Sequence, residues 1–202
     1  MPETGGDRDY ADEIASNADV LKGAWQATIG EMRAMGEELE ADGWSVTTVG
    51  ADHTAPEPPD VGRSGRFGLV YVVPDNYARE VRRAIAAAAD VDVDDLDTDE
   101  PRELDAFGRY EVFRNESSGN AFQVTALYDD DSKTALLVAG SYELRHAPPL
   151  MKAALERGEM YTHIQTLDET PVGSFYHDDW ELFFPNARQR LGLVEGETPD
   201  ED

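Results

Sequence analysis

Apolar positions in the first fifth of the chain fall at helical spacing. Ile14, Ala18, Leu21, Trp25, Thr28, Met32, Met35 and Leu39 recur at alternating steps of four and three, and Gly43 follows as a stop. The pattern predicts a helix over 11–41. Its heptad period suits a helix laid across a sheet, or a seam that meets another helix. Leu21, Trp25 and Met32 mark the candidate dimer seam in the second case. Beyond Gly43 the period changes. Trp44–Val49 reads as a strand, 51–66 as a Pro- and Gly-rich loop, and the apolar run Phe67–Val73 as a buried strand. Pro74-Asp75-Asn76 opens a second helix to about Ala89, with Val81, Ile85 and Ala88 inward.

A meander follows. Tyr110–Arg114 is a short strand. Phe122, Val124, Ala126 and Tyr128 alternate with Gln123, Thr125 and Leu127, and Thr134–Leu144 forms the next strand. Ala147–Arg157 is a helix between Pro148-Pro149 and Gly158. Met160–Leu167 and Val172–His177 are strands, and a helix from Asp178 to Leu191 is kinked at Pro185. The order is α-β-β-α-β-β-β-α-β-β-α. Short turns between successive strands predict one α+β domain over 11–192, a single largely antiparallel sheet packed by helices. Residues 1–10 read as a flexible leader and 193–202 as an acidic disordered tail.

Charge changes the picture most. The chain carries 43 Asp and Glu against 17 Lys and Arg, a net charge of −26, and only three of the 17 are Lys. Carboxylates lie on every predicted surface segment, so the chain repels itself in dilute buffer. Molar salt, with a Debye length of about 3 Å, screens that repulsion. With these traits, the chain resembles the acidic uncharacterised proteins of halophilic archaea. The resemblance implies a salt-filled cytoplasm and carries no activity. Eight Tyr, seven Phe and three Trp supply a core, and no cysteine is present for disulfides, thiol catalysis or cysteine-zinc sites. No apolar run approaches the roughly 20 residues that span a bilayer, and the N-terminus lacks the apolar region of a secretory signal. The negative charge argues against nucleic acid.

Candidate chemistry is sparse. Asp90, Asp92 and Asp94 imitate a calcium loop, but Asp95 replaces its required Gly and Pro101 its final Glu. Arg63, Arg66, Arg79, Arg82 and Arg83 form the one locally basic stretch. Arg79, Arg82 and Arg83 fall at helical spacing, and a phosphate, a carboxylate or an acidic partner would suit the set. The glycines around Arg63 precede a strand and do not make a nucleotide fingerprint. His163 and His177 lie on strands joined by a short loop, and Asp178 follows. Together they outline an acid–base or divalent-metal site if the strands place them on one face. Phe175, Tyr176, Trp180, Phe183 and Phe184 crowd together at spacings that suit a core. No catalytic motif is complete and no cofactor is implied. The leading expectation is a non-catalytic cytoplasmic binding or interaction module, contacting a protein partner or small anionic ligand through the arginines, with homo-oligomers through the first helix. A small hydrolase or isomerase using His163, His177 and Asp178 is the alternative, and a structural subunit of a larger assembly is a third.

Overall fold

The computed structural model describes residues 6–61, 67–96 and 107–193, with side chains from Ser16 onward. Helix α1 (Gly6–Ala41) begins five residues before the expected start and stops where expected. Gly43 supplies the left-handed residue after it (φ 86°), and the Trp44 N–H returns to the Leu39 carbonyl. Strands β1 (Ser45–Gly50), β2 (His53–Glu57) and β3 (Gly68–Val72) come before helix α2 (Asp75–Ala88). Strands β4 (Arg109–Ser117), β5 (Asn120–Asp129) and β6 (Thr134–Glu143) form the meander. Helix α3 (Pro148–Arg157) leads to β7 (Met160–Gln165) and β8 (Pro171–His177), and a short α4 (Ala187–Arg190) closes the order.

The single sheet expected from the sequence is not present. There are two four-stranded mixed sheets, ordered β1-β6-β5-β4 and β2-β3-β7-β8. The hairpins β4–β5, β5–β6 and β7–β8 are antiparallel, as short turns require. The pairs β1–β6 and β3–β7 are parallel and join strands far apart in the chain, which no turn announces. β2 is the strand missing from the predicted order, and it lies in the stretch read as a loop. There the chain changes sheets across one peptide. Ala51 N–H donates to Ala139 O at 2.8 Å in the first sheet, and Asp52 N–H donates to Val72 O at 2.9 Å in the second. The expected helix from Asp178 is also absent. A 3-10 turn at Trp180–Leu182 replaces its first half, and Phe183 and Phe184 enter the core.

The sheets face one another over the main core, which includes Leu69, Tyr71, Leu127, Leu136 and Val138. α1 covers the outer face of the first sheet, where Met32 meets Val124, Ala126, Tyr128, Leu137 and Ala139. Both faces of β5 are therefore covered, and polar residues on the inner face need partners. Gln123 Nε2 donates to Tyr71 Oη at 2.7 Å, and the Tyr71 and Thr125 hydroxyls lie 3.0 Å apart. Gly140 lets the sheets approach here. A Cβ on it would lie 2.3 Å from Thr54 Oγ1 and 2.4 Å from the Tyr71 ring.

Candidate functional site

β1 is the edge of the first sheet, and its free side is not flush with the surface. α1 and α2 rise on either side of it and make a groove of about 1110 Å³. Trp25, Ile29, Met32 and Arg33 line one wall, and Tyr77, Glu80, Arg83, Ala84 and Ala87 the other. The floor is β1 with Ala51 and Asp52, and Ser141 also lines the groove. The backbone of the floor is the distinctive part. Ser45 N–H donates to Lys133 O and Ala51 N–H to Ala139 O, both at 2.8 Å. The alternation of a parallel ladder between those bonds turns the N–H and C=O of Val46, Thr48 and Gly50 away from β6 and toward the groove.

The walls are charge-balanced in a molecule of net −26: two arginines, Arg33 and Arg83, face two acids, Asp52 and Glu80. Among the described residues neither Arg33 nor Arg83 forms an ion pair. The expected basic set is divided. Arg83 faces the groove, Arg79 is exposed elsewhere on α2, and Arg82 Nη2 caps the Leu96 carbonyl at 3.4 Å. Arg63 and Arg66 lie outside the described residues. The candidate seam is divided too. Met32 is 3% exposed against the sheet and Trp25 packs beside it, while Leu21 is half-buried. The stripe of α1 is thus spent on its own sheet from Trp25 onward, and Thr28 bonds back to Ala24 O at 2.9 Å.

A family model matches residues 11–185. The chain belongs to DUF7529, a family of unknown function. No curated protein and no solved structure matches it significantly. The DUF7529 match takes in both walls and the floor of the groove and stops before α4.

The histidines do not converge. His163 pairs with Ser174 across β7–β8, and His177 pairs with Met160. Ser174 and His177 are an odd number of residues apart, so the two imidazoles occupy opposite faces of the sheet. His163 Nδ1 lies 2.9 Å from Ser174 Oγ, and its ring stacks on Tyr161. His177 is fully buried, with Nε2 2.8 Å from Thr162 Oγ1 and its ring 4.4 Å from Tyr110. Burial, then the nearby His163, pushes its pKa down to about 3, against the pull of Asp178. Asp178 accepts a hydrogen bond from the Tyr110 hydroxyl at 3.0 Å, tying β4 to the end of β8. Among the described residues no group of three His, Asp or Glu is placed to hold a metal ion, and no helix is long and apolar enough to cross a membrane. Phe175, Trp180, Phe183 and Phe184 belong to the core, and Tyr176 is exposed.

The sequence reading named Trp25, Met32 and Arg83 separately and missed their convergence. It also missed Val46, Thr48 and Gly50, whose contribution is backbone. No side-chain signal marks which strand ends as an edge.

Proposed function

We propose that this protein is a non-catalytic binding module that takes an extended segment of a partner protein as an added strand along β1. The outward N–H and C=O groups of Val46, Thr48 and Gly50 carry the reading, because among the described residues nothing pairs with them and they lie in a recessed groove. An incoming strand alternates its side chains. One set meets Trp25 and Ile29, and the other meets Tyr77, Ala84 and Ala87, so an uncharged segment with apolar residues on both faces fits best. The balanced charge of the walls makes the groove less repellent to an acidic partner than the rest of the surface. The flanking helices oppose the edge of a second copy, which would bring its own helices. The charge supports a setting of concentrated salt in the cytoplasm, where non-ionic main-chain bonds and apolar contacts persist while surface ion pairs are screened.

The test is selection from a random dodecapeptide library in molar KCl, followed by fluorescence anisotropy on the selected peptides. Thr48→Pro deletes one outward N–H and leaves the ladder to β6 intact. It is expected to weaken binding at least tenfold. Ala87→Trp, at an exposed helix position, fills the groove and is expected to do the same. Failure to select any peptide, or binding by both variants as tight as by the unaltered protein, would overturn the proposal.

A further inference from the structure

The groove is not uniform along its length. Val46, Thr48 and Gly50 share the α1 face of β1, while Val49 between them belongs to the main core. Val46 and Thr48 meet α1 where the helix itself has no side chain. A Cβ on the buried Gly36 would lie 3.6 Å from Val46 Cγ1 and 3.1 Å from Thr48 Cγ2. The helix backbone therefore comes down close over this end of the strand. At Gly50 the arrangement is reversed. Here the strand has no side chain, and Ile29 and Trp25, about two and three turns back along α1 from Gly36, reach toward it. A Cβ on Gly50 would lie 3.1 Å from Ile29 Cδ1 and 3.5 Å from Trp25 Cζ2. Behind Gly50 the next strand carries Ala139, another small residue.

Gly50, Trp25 and Ile29 all line the open groove. Trp25 and Ile29 pack against the core beneath α1 and are still only half-buried. A glycine in an edge strand gives a neighbouring strand no side chain to pack on, and a ring on the residue paired with it covers the gap. Gly50 faces α1, so the position it leaves bare belongs to Trp25 and Ile29 and not to Tyr77 on α2. The Trp25 atom nearest Gly50 is on the edge of its six-membered ring, which suits the edge-to-face meeting of two aromatic rings.

We infer that the segment added along β1 carries one aromatic residue at the position paired with Gly50, its ring crossing the glycine to lie against Trp25 and Ile29. The inference rests on the strand-addition reading and adds to it the residue that selects the partner. A residue paired with Gly50 shares its face whether the added strand runs parallel or antiparallel, so the anchor is the same in both directions. Main-chain bonds hold any extended segment, and the aromatic residue decides which segments stay bound.

The test uses the tightest dodecapeptide from the molar-KCl selection, labelled with fluorescein, with alanine placed at each position in turn. One aromatic position is expected to stand out in anisotropy, its alanine costing about thirtyfold and the others staying within about fivefold. Trp25→Ala removes the ring it meets, so in that variant the same peptide substitution is expected to cost less than about threefold. Gly50→Ala asks of Ile29 only a small movement of its side-chain end and obstructs the crossing ring. It is expected to weaken the selected peptide about tenfold and to leave the alanine-substituted peptide within about threefold, which keeps the inference testable if Trp25→Ala does not fold. A flat scan, or an aromatic residue whose loss costs the same in both variants as in the unaltered protein, would overturn the inference, and strand addition would stand so long as Thr48→Pro weakens the same peptides. Peptides indifferent to Thr48→Pro would overturn both.

Discussion

His177 shows how a single residue couples the core to pH. Its ring stays neutral in the fold to about pH 3, whereas an unfolded histidine gains a proton near 6.5. The unfolded chain therefore binds more protons between those values. The contribution to stability is complete above about pH 6.5 and is lost as pH falls toward 3, at about 1.4 kcal/mol per pH unit. Urea unfolding across that range is expected to show this slope, and His177→Gln to lack it. Equal slopes would mean that the ring titrates normally. Gly140 makes a different demand, for space. Gly140→Ala drives a methyl into Thr54 and Tyr71, and a loss of about 3 kcal/mol is expected in the same assay. Unchanged stability would show that the sheets do not meet as closely as described.

Among the elements, α1 does two things along its 36 residues. From Trp25 onward it is the lid of the first sheet. Before that it projects past the sheet, with Val20 46% exposed. Met32→Ala removes a buried side chain and is expected to cost about 3 kcal/mol. Val20→Ala should stay within about 0.5 kcal/mol. Equal, large losses would mean that the exposed Val20 side of the helix is covered by a second chain, a face other than the Leu21, Trp25 and Met32 seam expected from the sequence. β1 contributes through its backbone, so the effect of Thr48→Pro belongs to binding and leaves the unfolding midpoint nearly unchanged.

For the whole molecule the governing quantity is −26 charges on 202 residues. Screening shortens the Debye length from about 10 Å at 0.1 M to about 3 Å at 1 M salt. The thermal midpoint is expected to climb steeply with KCl up to about 1 M and more slowly beyond. A midpoint that ignores KCl would remove the salt-dependent setting from the proposed function. The same charge leaves the balanced groove as a surface where a partner meets less repulsion than the net charge alone would impose.

The sequence by itself determined most of the local structure. Periodicity placed α1, α2, α3 and seven of the eight strands, because hydrophobic spacing and glycine stops are local properties. It marked the aromatic cluster near Phe183 as core, and the acidic composition as a surface matter. Only the tertiary structure decided the sheets. The pairs β1–β6 and β3–β7 form across long stretches of chain, so nothing between them encodes their partnership. β2 was hidden because prolines at an edge imitate a loop. The separation of His163 from His177 followed from strand register, where one residue reverses a face. The groove depended on tertiary structure entirely, because an edge is defined by which neighbour is missing.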